Sequence, residues 1–251
     1  MAFASVGTLG ATSDIAAGTS ITHAVTATAA TGSIVVVVVA KDNASTSDGN
    51  TNEITSVTDT VGNTYTKARE FCNGQGAANA GATVAVFYSR LGAQIGPLED
   101  PASTITANFS DSRTASAISV WNFSGTAITL AGGADLANDG EEPGSMSVSG
   151  MASAQYLFVR GIAVETAPII GLTPTTSYTA LTEAAGGIGA AGLAIQGEWR
   201  ILTATGDTSD PLGEVADNAS VFVAFKEAAA PPDPTKGGAF GGGLRQIIAG
   251  D

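Results

Sequence analysis

Ile34-Val35-Val36-Val37-Val38-Val39-Ala40 decides how this chain is read. Its β-branched side chains are stiff at χ1 and suit the pleated backbone of a strand. The run lacks polar alternation, so no face of it is adapted to water. That marks a strand buried on both sides. It is far shorter than the ~20 apolar residues that cross a bilayer.

Working outward, period-2 patterns recur between clusters of Gly, Asn, Asp and Ser. Ile21 to Ala29 alternates weakly before Gly32-Ser33 turns the chain into the apolar run. Residues 41–53 read as a polar loop, and Ile54-Ser56-Thr58 as the strand that follows it. Val84, Val86 and Tyr88 form another strand, then Ile105, Ala107 and Phe109, then Ala117 to Phe123. No stretch carries a capped helical stripe. The second half echoes this order: Tyr156–Val164 matches the apolar run, Thr175–Ala180 matches Gly62–Lys67, Gly197–Leu202 matches Val86–Leu91, and Ala219–Phe225 matches Ala117–Phe123. The spacing between echoes shrinks along the chain, so the match is one of strand order.

Two four-strand halves that cannot bury both faces alone would pack as the layers of one sandwich. The expectation is an all-β, jelly-roll-like sandwich over residues 1–227, with halves 1–130 and 151–227. Two separate immunoglobulin-like domains joined by a linker over residues 131–150 are the alternative.

The 251 residues carry 23 acidic and 10 basic side chains, a net charge of −13. Such a surface repels phosphate and forgoes the counterion release that drives nucleic-acid binding. One Cys and one His exclude a disulfide framework and a Cys/His zinc site. The opening residues have no basic segment ahead of an apolar core, so no signal peptide is expected, and no membrane insertion.

After Phe225 the composition changes. Pro231, Pro232 and Pro234 stiffen the chain and a Gly-rich stretch loosens it again. Leu244-Arg245-Gln246-Ile247-Ile248 then forms a short apolar clip. Residues 228–251 read as an extended docking arm, with Phe240, Leu244, Arg245, Ile247 and Ile248 as its contact groups.

Ile54 to Thr66 (ITSVTDTVGNTYT) follows an apolar strand and precedes Val86-Phe87-Tyr88-Ser89 and Ile118–Gly125. This order resembles a β-sandwich, jelly-roll-like domain of structural and decoration proteins in tailed-bacteriophage virions and related bacterial surface proteins. The resemblance covers roughly residues 15–227. It implies a non-enzymatic component of a capsid or tail, made in the bacterial host cytoplasm and located in the virion. Its partners would be other virion proteins or copies of itself, as a homo-oligomer. The alternative is an adhesin that recognises a host-surface glycan. The second half departs from the motif, with Thr173-Pro174-Thr175-Thr176-Ser177 in place of the Asp-Gly-Asn turn.

Within that turn, Asp59 is expected to accept backbone N–H groups, Gly62 to take positive φ and Asn63 to tolerate it. Asp59, Asn63 and Tyr65 are the candidate ligand-turn residues. No cofactor is expected. Calcium is the ion the acidic loops would suit, through Asp42, Asp48, Asn50 and Glu53, with a second acidic loop at Asp207, Asp210, Glu214 and Asp217. Neither loop has the full EF-hand spacing.

Gly187-Ile188-Gly189-Ala190-Ala191-Gly192 matches a dinucleotide fingerprint. A strand pattern follows where that site needs a helix. Glu141 and Glu142 are adjacent, while nothing in the spacing of Glu165, Glu183 and Glu198 pairs them as acid and base. His23 and Cys72 read as structural residues. Of the larger aromatics, Tyr65 and Tyr178, beside turns, are the candidates for a surface role, and the others read as core.

Overall fold

In the computed structural model, residues 2–76, 80–141, 143–165, 173–187, 192–210 and 216–227 are described. All regular structure among them is β. The strands are β1 (Ala4–Asp14), β2 (Gly18–Ala24), β3 (Ile34–Asp42), β4 (Ile54–Asp59), β5 (Thr66–Cys72), β6 (Ala82–Arg90), β7 (Thr104–Arg113) and β8 (Ser116–Ser124) in the first half. The second half has β9 (Thr129–Glu141), β10 (Met146–Val148), β11 (Ala154–Glu165), β12 (Thr179–Ala180), β13 (Ala184–Gly186), β14 (Leu193–Ala204), β15 (Asp207–Ser209) and β16 (Ala216–Lys226).

The first half alone makes a sandwich. A five-stranded antiparallel sheet, β1-β8-β3-β6-β5, is covered by the three-stranded sheet β2-β7-β4. The orders β1-β8-β3-β6 and β2-β7-β4 form a jelly roll, in which β5 has joined the larger sheet. The second half follows the same plan. Its large sheet runs β9-β16-β11-β14-β12, with β13 also on β14, and β10 pairs with β15 as β2 pairs with β7. No described strand corresponds to β4. The sequence echoes therefore mark a repeated topology: β3 and β11, β6 and β14, and β8 and β16 are equivalent strands.

The two large sheets then pack face to face. Ile34, Val36, Val38, Val84 and Val86 meet Leu157, Val159, Leu193, Ile195, Val221 and Val223 in one core. Contacts between the halves are reciprocal. β6 meets β11 and β16, as β14 meets β3 and β8; β5 faces β9, as β13 faces β1; and β3 crosses β11 in the middle. This is the geometry of an isologous dimer written into one chain. Equivalent residues on β3 and β11 meet at the crossing: a Cβ on Gly161 would lie 2.5 Å from Val38 Cγ1. A knob thus sits opposite a hole where two valines would collide. Around it, Trp121 and Phe123 pack on Trp199 at 5.7 and 5.1 Å, and Tyr88 on Phe225 at 4.9 Å between ring centroids.

Because each large sheet is covered on both faces, β3 is buried throughout and β11 from Tyr156 onward. The outward residues of the first sheet, Val35, Val37, Val39, Phe87 and Val120, pack on Ile21, Val57, Ile105 and Ala107 of its cover. The halves are therefore not the single four-strand layers of one sandwich that the sequence suggested: each carries its own cover layer, and the two large sheets pack together between the covers. The stretch 131–150 is not a linker. Most of it is edge strand β9, paired to β16, and cover strand β10. Ladder hydrogen bonds hold β9 despite Gly132 and Gly133, since backbone pairing does not need an apolar pattern.

Candidate functional site

Strand β4 ends at Asp59, and the carboxylate organises the corner that follows. Oδ1 accepts the amides of Val61 and Asn63 at 3.1 and 3.0 Å. Oδ2 accepts Asn63 Nδ2 at 2.8 Å and the Tyr65 hydroxyl at 3.1 Å. Gly62 sits at φ +83°, in the left-handed region. Asn63 carries the corner across to the β6–β7 loop: its Oδ1 accepts the Gly92 and Ala93 amides at 2.8 and 2.9 Å, and Nδ2 also donates to the Ala93 carbonyl. Burial, then the Asp59 charge and hydrogen bond, push the Tyr65 hydroxyl far above its ordinary value, so it stays a donor. The three turn residues chosen from the sequence are thus brought together. Between residues 61–64 and the β6–β7 loop lies a groove of about 290 Å³, with Arg90 on its wall.

The candidate calcium ligands do not converge. Glu53 Oε2 accepts Lys41 Nζ at 3.1 Å, the Ala44 amide at 2.8 Å and Thr83 Oγ1 at 2.9 Å. Its Oε1 accepts the Ser45 amide and Thr51 Oγ1. Burial works to raise the Glu53 carboxyl, but Lys41 and the two amides outweigh it and hold it below the ordinary value. Asp42 accepts Thr114 Oγ1 at 3.1 Å, and burial pushes its carboxyl up despite that bond. Asp48 caps the Gly74 amide and Asn50 the Asn52 amide. Among the described residues, no three His, Cys, Asp or Glu side chains stand together as metal ligands.

Residues 41–53 are also not a solvated loop throughout. Lys41, Asp42, Asn43 and Glu53 are buried. The sequence reading missed their partners: Asp111, which takes Lys41 at 2.7 Å, and Glu70, which accepts the Glu53 amide at 2.6 Å and Lys67 at 2.5 Å. The available signal was opposite charges recurring on consecutive strands in a chain that is only 13% charged.

The second half holds a different polar cluster on its outer face. Arg160 is fully buried on β11. Nη1 donates to Ser209 Oγ at 2.9 Å and the Asp210 carbonyl at 2.7 Å, and Nη2 to the Gly144 carbonyl at 2.7 Å. Burial lowers its pKa to about 10 against the pull of Glu198. Glu198 is held in turn by the Thr175 amide and hydroxyl at 2.7 and 2.9 Å. Tyr178 is not a surface residue: it is buried, its hydroxyl donates to Asp207 Oδ2 at 2.5 Å, and Arg200 pairs with Asp207 while lying 4.7 Å over the Tyr178 ring. Burial first, then the Asp207 bond, raise its hydroxyl far above the ordinary value.

Neither the lone His nor the lone Cys is set up for catalysis. His23 is buried with Nε2 on the Leu9 carbonyl at 3.0 Å. Burial pushes the Cys72 thiol up to about 11, so it is held as the protonated form. Glu165 pairs with Leu193 in the ladder and Glu198 with Arg160. The two positions are thus five residues apart along the ladder, about 17 Å between backbones, and an odd offset points the two side chains to opposite faces of the sheet, which does not suit a glycosidase pair. Asp217 accepts Gln75 Nε2 at 3.0 Å. Glu214, Glu142, residues 188–191 of the glycine fingerprint, and the docking groups Phe240, Leu244, Arg245, Ile247 and Ile248 lie outside the described residues. No family model, curated protein or solved structure matches this chain.

Proposed function

We propose that this chain is a non-enzymatic structural protein of a bacteriophage virion, a capsid or tail component attached through residues 228–251. The observation that carries the reading is the reciprocal packing of two jelly-roll-like halves through their larger sheets, which makes a rigid block stacked in layers. Its chemically capable side chains support the same reading, because Asp59, Glu53, Asp207 and Glu198 each spend their oxygens on fixing a loop or a cover strand. A net charge of −13 keeps copies soluble when displayed densely.

Attachment would rest on the apolar groups of the Pro/Gly-rich segment, strengthened by many copies on one particle. The test is incorporation. Full-length protein should co-purify with particles in fixed stoichiometry, while a variant lacking residues 228–251 should stay folded and soluble but be lost from them. Normal incorporation of the truncated protein overturns the arm; absence of the full chain from purified particles overturns the virion role. A second reading, glycan recognition, draws on one observation, the clamped groove beside Asn63 and Arg90.

A further inference from the structure

We infer that the groove beside the Asp59–Tyr65 corner is a binding site for an acidic sugar unit, such as a uronic or sialic acid residue. The inference deepens the glycan reading and is independent of residues 228–251.

Three observations converge. First, the groove is built before any ligand arrives. Asn63 ties its two walls together through the Gly92 and Ala93 amides and the Ala93 carbonyl, and Asp59 fixes the near wall through four hydrogen bonds. A site that needs no ordering on binding loses little affinity to entropy. Second, Arg90 lines it with a guanidinium that makes no hydrogen bond or ion pair among the described residues. Of the other arginines among the described residues, Arg69, Arg113 and Arg200 pair with aspartates and Arg160 is buried on carbonyls and hydroxyls. A free planar fork suits a carboxylate, which it can take with two parallel bonds. Third, the remaining wall is of the right kind for a sugar ring. Val61 is 40% exposed and offers C–H surface, and the exposed Thr64 offers a hydroxyl. A space of about 290 Å³ suits a single sugar unit and not a long helix or strand.

The second half marks the contrast. Its equivalent tyrosine, Tyr178, is covered by Arg200, whose charge is already spent on Asp207. The site is single-copy, as the departure of residues 173–177 from the turn motif implies.

The experiment is a titration of the ¹⁵N-labelled full chain, followed at the Thr64, Gly92 and Ala93 amides. The probes are methyl β-glucuronide, the methyl glycoside of N-acetylneuraminic acid, and neutral methyl β-glucoside. Saturable shifts at these amides with an acidic probe, and none with the neutral one, are expected. Arg90→Gln, checked for an unchanged amide spectrum elsewhere, should weaken binding about tenfold, the loss of one charge-assisted pair. Equal responses to the neutral and acidic probes, shifts that Arg90→Gln leaves intact, or no saturable shift with either acid would each overturn the assignment. None of these results bears on particle incorporation, so the two readings fail separately.

Discussion

Val37 and Arg160 occupy equivalent places in the two halves, on the outward faces of β3 and β11. Around Val37 the outward positions are Ala85, Phe87, Ile118 and Val120, all apolar, under a three-stranded cover. Around Arg160 the equivalent positions hold Gln196, Glu198, Ser220 and Phe222, under the β10–β15 pair. The first half attaches its cover by burying apolar surface, which is non-directional. The second holds a thinner cover by both means: Met146 and Val148 of β10 share an apolar cluster with Phe158, Phe222 and Ala224, and Arg160 adds directed hydrogen bonds to residues 144, 209 and 210. One topology thus tolerates an apolar cover in one half and a part-polar one in the other, while the face between the halves stays apolar in both.

The largest expected effect tests that contrast. Arg160→Ala should destabilise by about 3–5 kcal/mol, because Glu198 and three loop acceptors lose a buried partner. Val37→Ala should cost only about 2 kcal/mol. Chemical denaturation measures both; equal losses would mean that the two covers are held alike. Arg160→Met, which restores an apolar face, should recover much of the loss.

Next comes the crossing of β3 and β11. Gly161→Val should cost about 1–3 kcal/mol by overpacking against Val38. Adding Val38→Gly should return part of it, since knob and hole merely change sides. A double variant no more stable than Gly161→Val alone would break the equivalence of the two strands. At the corners, Asp59→Ala should cost about 1–3 kcal/mol by leaving the Val61 and Asn63 amides without an acceptor. It should also raise hydrogen exchange at those amides, with little change around Asp207.

The smallest effect lies at the ends of the two equivalent strands, Asp42 on β3 and Glu165 on β11. Burial, then Asp217 and Asp42, push the Glu165 carboxyl up to about 7, and burial raises Asp42. A carboxyl raised on folding favours the native state while protonated, so its contribution is full below the unfolded value near 4.5 and fades as pH rises through about 7. Glu165→Gln should therefore raise the Tm above pH ~7 and leave it nearly unchanged near pH ~4. An identical gain at both pH values would show that ionisation of Glu165 is not the cause.

Much of the fold could be read from residues whose burial is two-sided. The valines of β3 allow no other reading, nor does Leu157–Val164 of β11, where Arg160 is the one charged residue, and the echo between them correctly located the repeat. The covers were harder to see. In β2 and β7 only alternate residues face the core, and Thr22 and Thr106 look outward to each other at 2.9 Å. β9 carries only a weak apolar pattern, Leu130, Ala134 and Leu136 among glycines and polar residues, and backbone pairing to β16 holds it in the sheet. The Asp59–Asn63–Tyr65 corner was legible because the bonds to Asp59 are local, spanning at most six residues. The Lys41–Glu53–Asp111 cluster was not, since Asp111 lies 70 residues from Lys41 and only the fold brings them together.

Only residues 125–128 separate β8 from β9. Two free halves with this apolar face would associate by mass action and come apart on dilution. Here the short tether holds each half at an effective concentration in the millimolar range or above. The pairing is therefore as complete in a single isolated molecule as in a crowded array. A lone copy meets its neighbours with its largest apolar surface already closed, and only its outer layers remain to take part in assembly.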